Sequence, residues 1–331
     1  MHLNKPILSL IFFLATPIVA HHSDAIYDFE RLVAFEAVVT QYTFRNPHVM
    51  IFVEANNNEA DIEEWEIETG SVPIMIRSGW SSSLLKPGDV ITIRAHPEKN
   101  GRNRAILNTL ETSDGNLWSQ VEGDLEATES ATSIEGVWKA LSHTNIRRQF
   151  VDARLTTAAL EARDRFNDLL GNPISPDQPN AASDLSCIPH PTPFTIGSVN
   201  YLSGIEVFKD YAILRNEFFD LKRVVYMDGR GHPEDTERTI QGHSIGWWEG
   251  ETLVVDTQLF DKFNSGNGIG IPSGYNKHVV ERYSLNNDGT RAIVDVIVED
   301  PDFLIEPFTG RLEMLYTPHL QLYEYGCIPG E

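Results

Sequence analysis

The sequence is short of cysteine, of positive charge and of long apolar runs. Its 331 residues hold two cysteines, and 26 Lys and Arg against 48 Asp and Glu, a formal net charge of −22. So acidic a chain is a poor partner for nucleic acid or an anionic membrane surface, both of which are held by cationic patches. A helix that crosses a bilayer needs ~20 consecutive apolar residues. The best run, Ile7 to Leu14, falls well short, so no membrane span is expected. The chain also offers no nucleophile elbow, no phosphate-binding glycine loop, no Cys-x-x-Cys and no helix with His-Glu-x-x-His. That removes the familiar hydrolase, nucleotide and zinc-protease chemistries without assigning another. Whether the protein is an enzyme is left open.

What is present begins with an export signal. Lys5, the apolar run and Pro17-Ile18-Val19-Ala20 make residues 1–20 a secretory signal peptide, cleaved after Ala20. The protein is therefore expected to be exported, periplasmic or secreted, with a mature chain that starts His21-His22-Ser23. Cleavage removes one cation, Lys5, so the mature charge is 25 minus 48, or −23. In an oxidising compartment an even cysteine count reads as a disulfide. Cys187 is expected to pair with Cys327, with two separate buried thiols as the alternative. The bond would close about 140 residues and stabilise by up to roughly 5 kcal/mol in the chain-entropy account.

The mature chain divides into two mainly β domains. Leu32 to Phe44 is rich in Val, Phe and Thr, and Asn46-Pro47 breaks it. His48 to Glu54 resumes as a second strand, and Glu63 to Thr69 alternates Trp65, Ile67 and Thr69 with Glu64, Glu66 and Glu68 as a third. Ser71 to Ile76 reads as a short helix, with Pro73 in its first turn and Gly79 as its stop. Val90 to Ala95 and Arg104 to Thr112 add two strands. Three strands, a helix and two strands is the order of an OB-like five-stranded barrel, assigned to residues 21–120; a small β-sandwich is the alternative. Residues 121–133 are acidic and poor in bulky apolar groups, the composition of a linker.

Residues 134–331 read as a larger antiparallel β-barrel or sandwich with one helix, closed by the disulfide. Thr156 or Thr157 caps that helix, Ala159, Arg163, Phe166 and Leu170 recur along it at helical spacing, and Gly171 stops it. Turn chemistry at Lys209-Asp210, Asp228-Gly229, Glu249-Gly250 and Asn287-Asp288-Gly289 separates about eight strands, among them Leu312 to Thr317 and Leu320 to Tyr325. Trp247-Trp248 on a strand should send one ring inward and one outward.

His21-His22-Ser23, Arg45-Asn46-Pro47-His48, Gly79-Trp80 and Leu85-Lys86-Pro87-Gly88-Asp89 together resemble an uncharacterised family of small exported bacterial proteins. The second half is similar to a domain of unknown function often fused to them, through Tyr226-Met227-Asp228-Gly229-Arg230-Gly231-His232-Pro233, Trp248 to Asp256 and His278-Val279-Val280-Glu281-Arg282. Gly136-Val137-Trp138 resembles the Gly-x-Trp feature of lipocalins, which makes a lipocalin-like barrel one form of the second domain.

Two sets of residues carry chemistry. An N-terminal histidine presents an α-amine and an imidazole as one chelating unit. His21 would give both, His48 a second imidazole, and His22 or Glu68 would complete the site. Planar nitrogen donors suit copper(II), whereas zinc prefers four tetrahedral ligands. The arrangement resembles the histidine brace of certain copper proteins. The bland alternative is a frayed terminus, with His48 packing against the turn after Asn46. In the second domain Asp228, Arg230, His232, Asp256, His278 and Glu281 are candidates for one pocket, since histidine beside carboxylates can do acid/base work. A turn at Asp228-Gly229 and a solvated strand edge at Glu281-Arg282 explain several of them without a site. The sequence thus points to an exported two-domain binding protein with a copper site at its new N-terminus. The competing expectations are a metal-free barrel for a small apolar ligand or protein partner, or an enzyme using the second-domain cluster.

Overall fold

The computed structural model describes residues 26–56, 61–119, 127–150, 153–171, 188–234, 237–268 and 270–327. Alternating apolar positions build the first domain. Its elements are β1 (Val33–Thr43), β2 (Met50–Asn56), β3 (Ile62–Glu68), α1 (Val72–Arg77), β4 (Val90–Pro97), β5 (Arg104–Thr112) and β6 (Leu117–Ser119). The ladder runs β3-β2-β1-β4-β5, and β5 returns to pair in parallel with β3 through Ile67 and Ala105. That pairing closes a five-stranded OB-type barrel and rules out the open sandwich; β6 is appended to β5. Inside it Ile51, Val53, Ile67, Ile91, Ile93 and Leu107 are buried.

The second domain comprises β7 (Gly136–Ala140), α2 (Ile146–Gln149), α3 (Thr157–Gly171), β8 (Leu202–Val207), β9 (Tyr211–Asn216), β10 (Leu221–Tyr226), β11 (His243–Glu249), β12 (Thr252–Gln258), β13 (His278–Leu285), β14 (Arg291–Glu299) and β15 (Phe308–Tyr316). They form one closed barrel in the order β10-β11-β12-β13-β14-β15-β7-β8-β9, nine strands rather than about eight. The expected alternation on β14 holds: Ala292, Val294, Val296 and Val298 are buried in the core. Trp138 is buried too, its indole donating to Ile134 O at 2.9 Å. Gly136 has φ +137°, and a Cβ there would lie 2.7 Å from the Tyr316 ring, so only glycine fits.

Three expectations need correction. Asp228-Gly229 does not close a hairpin: β10 and β11 pair in parallel at Val225–Ser244 and Tyr226–Ile245, so the two strands are joined by a crossover and not by a tight turn. Parallel neighbours require such a long connection. Leu320 to Tyr325 is not a strand. Its backbone is satisfied by side chains instead, Tyr323 N by Glu217 at 2.9 Å and Tyr325 N by Asp220 at 2.6 Å. Trp247 and Trp248 are both exposed, because β11 runs on beyond the two residues that β10 covers.

The domains meet along a seam where Arg77 at the end of α1 donates to both oxygens of buried Glu217 at 2.8 Å. Ile74 and Cys327 pack there against Tyr201, Phe219 and Tyr325. Cys187 lies outside the described residues, and with it the expected disulfide. Residues 1–25, with the signal segment and the two leading histidines, lie outside them as well, as do residues 121–126 of the expected linker. Residues 127–133 form no helix or strand, and Ala131 N bonds Gly289 O at 2.8 Å.

Candidate functional site

At one end of the first barrel a single buried carboxylate gathers three partners. Glu68, the last residue of β3, is 3% exposed. Its Oε1 lies 3.0 Å from His48 Nδ1. Its Oε2 accepts from Tyr27 OH at 2.5 Å and from Arg104 Nη2 at 2.6 Å. Burial, and then the Glu68 charge, push the Tyr27 phenol well above its ordinary pKa, so it stays a hydrogen donor. His48 Nδ1 is also 2.9 Å from Thr69 O. A carbonyl and a carboxylate both accept, so Nδ1 carries a proton. The preceding Asn46 is built in equally firmly: its Oδ1 accepts from Val72 N at 2.8 Å at the start of α1, and its Nδ2 donates to Tyr325 O in the second domain. Of the four residues expected to hold a metal, the structure brings together His48 and Glu68; His21 and His22 lie outside the described residues. No cluster of three or more His, Cys, Asp or Glu able to hold a metal occurs among the described residues.

On the outer face of the second barrel three of the six expected residues converge, and two more join them. Asp256 on β12 accepts from His232 Nε2 at 2.9 Å through Oδ1 and from His278 Nε2 at 2.8 Å through Oδ2. His278 Nδ1 meets Glu299 on β14 at 2.9 Å. His232 Nδ1 meets His243 Nδ1 at 2.9 Å. The result is one hydrogen-bonded chain, Glu299, His278, Asp256, His232, His243. The crossover after β10 is what lays His232 over β12. The Asp256 hydrogen bond, against the opposing effect of burial, raises the His278 pKa to about 9. Burial acts to raise that of Asp256, yet the bonds from His278 and His232 hold it below its ordinary value. Burial, and then the charges of His232 and Arg230, lower His243.

The other three expected residues are not members of this hydrogen-bonded chain. Arg230 and Asp228 pair with each other, Nη2 to Oδ2 at 2.5 Å, and that bond holds the Asp228 carboxyl down at about 2. Arg230 also lies over the Tyr226 ring, 4.2 Å from its centre, and Tyr226 stacks on His243. Glu281 faces the barrel interior. The pleat of β13 sends residues an odd number apart to opposite faces, so His278 and Glu281 cannot share one. Inside, Glu281 is fully buried against Arg223 at 2.6 Å and accepts from Tyr283 OH at 2.9 Å. Beside them Lys277, also buried, donates to Thr192 O and Gly266 O at 2.8 and 2.5 Å.

Gly242-His243-Ser244-Ile245-Gly246 does spell Gly-x-Ser-x-Gly, but as a strand. Ser244 is buried and bonds Thr257 Oγ1 at 2.9 Å, so it is no exposed elbow nucleophile. Sequence reasoning passed over Tyr27, Arg104, His243 and Glu299. The register His278 opposite Glu299 is the one signal that strand pairing would have offered.

Residues 10–107 match a family of unknown function, DUF6152. The match spans the first barrel as far as the middle of β5 and leaves the second unassigned. No curated protein matches the chain.

Proposed function

We propose that this is an exported two-domain binding protein whose first barrel holds copper(II) through the amine and imidazole of His21 and the imidazole of His48. The observation that carries it is the locking of His48 Nδ1 by Glu68 and Thr69 at 3.0 and 2.9 Å. A carboxylate on one ring nitrogen orients a ligand histidine and raises the basicity of the other. Tyr27 supports the same reading, because it binds the same carboxylate six residues after His21. Six extended residues reach about 20 Å, so the new N-terminus is tethered within range of His48. The donors fit the ion: two imidazoles and an amine form the nitrogen-rich set that copper(II) favours. Glu68 has both oxygens engaged, so its part is to aim His48, and His22 is left as a further donor. The expected Cys187–Cys327 bond belongs to the same reading of an oxidising compartment.

Electron paramagnetic resonance of the mature protein loaded with one equivalent of copper(II) tests this. Hyperfine structure from at least three nitrogens is expected, with one fewer in His48→Ala. An unchanged spectrum in that variant would exclude His48 as a ligand.

A further inference from the structure

The histidine chain on the second barrel is unlike the site in the first, because it leads to a single basic atom. Both nitrogens of His278 face carboxylates, Asp256 at 2.8 Å and Glu299 at 2.9 Å. Carboxylates only accept, so both nitrogens carry protons. Asp256 also takes the Nε2 proton of His232. When His232 carries that proton alone, its Nδ1 is an acceptor. The His232 and His243 rings meet nearly head on, with 2.9 Å between nitrogens, 5.1 Å between centroids and a 74° interplanar angle. That is the geometry of one N–H···N bond, donated by His243 Nδ1. The lone pair of His243 is thereby placed on Nε2.

We propose that His243 Nε2 is the general base of an acid–base site on the outer face of the second barrel, acting on a carboxylic ester. Water gives its proton to Nε2 as its oxygen adds to the acyl carbon. Collapse breaks the bond to the alkoxy oxygen, and the proton passes from His243 to that leaving oxygen, giving an acid and an alcohol. Imidazolium formed on His243 is stabilised through His232 by Asp256, the arrangement in which a buried carboxylate supports a catalytic histidine. Arg230, over the Tyr226 ring that stacks on His243, is the cation this site offers to the negative charge that develops on the acyl oxygen. Asp228 occupies its Nε and one hydrogen of Nη2, so Nη1 and the second Nη2 hydrogen remain as donors. The groups facing His243 are thus His232, Tyr226 and Arg230, and the lowered pKa of His243 keeps it unprotonated near neutrality. His232, Asp256, His278 and Glu299 are positioning residues.

The test uses the full mature chain and p-nitrophenyl acetate. Hydrolysis is expected to rise with pH to a plateau, to be slower in D2O, and to fall at least about tenfold in His243→Ala. Asp256→Asn should lower the plateau and shift its midpoint, and Ser244→Ala, altered inside the barrel, should match the wild type. A His243→Ala protein that keeps its fold, by circular dichroism, and hydrolyses the ester at the wild-type rate would overturn the proposal. So would a rate lost only in Ser244→Ala.

Discussion

Asp256 and Glu281 stand one strand apart, on β12 and β13, and serve opposite ends. Asp256 looks outward and holds two histidines at 2.8–2.9 Å in reach of solvent. Glu281 looks inward, fully buried, and neutralises Arg223. A carboxylate taken out of water must be matched by a charge and by hydrogen bonds, so the inner one is bound to the fold. The outer one keeps some exposure to solvent, and its partners are histidines, which gain and lose protons. One face of the barrel wall keeps the structure, and the other carries chemistry.

The largest effect should come from the inner face. Glu281→Leu leaves Arg223 buried and unpaired, and is expected to cost about 3–5 kcal/mol in denaturant unfolding. Joining it to Arg223→Met should recover most of that loss. If the single variant is no less stable than wild type, the contrast between the faces fails. Next comes the first barrel, where Glu68→Gln should weaken copper(II) binding about 10–100-fold by loosening His48 while leaving the ligands in place. Isothermal titration would show it, and equal affinity would mean that Glu68 does not aim the ring.

Proton linkage separates the faces more finely. The folded pKa of His278, about 9, lies above its ordinary 6.5. Its contribution is therefore complete below pH 6.5 and is lost as pH rises through 9. Lys277 has the opposite sign: burial depresses it from 10.5 to about 7. Between those values the unfolded chain binds more protons, so this group makes stability rise with pH. His278→Gln should remove a fall of about 1 kcal/mol, a figure discounted for solvent screening, whereas Lys277→Met should remove a rise. Melting temperatures between pH 6 and 10 would show both slopes, and identical profiles for the two variants would contradict the assignment.

The order of elements was legible because turn residues and alternation act locally. Arg104 to Thr112 is a strand as expected, and Ala292, Val294, Val296 and Val298 fill one face. What local pattern does not carry is pairing. Asp228-Gly229 has the composition of a hairpin turn yet opens a crossover, because β11 pairs with β10 in parallel. Leu320 to Tyr325 has strand composition, but Glu217 and Asp220 take its backbone donors. The candidate sites were half legible for the same reason. His48 with Glu68 and Asp256 with His278 were chosen on residue type, and the structure joins each pair. Glu281 was grouped with them only because the face it occupies depends on counting the pleat from His278.

The copper site is the central claim, and a copper(II) titration tests it most directly. Protein matured in the periplasm, with intact mass showing His21 as its first residue, would be compared with a chain carrying one extra N-terminal glycine. Tight binding of one equivalent by the first and its loss in the second is the predicted result. Equal, weak binding by both would contradict an N-terminal copper site.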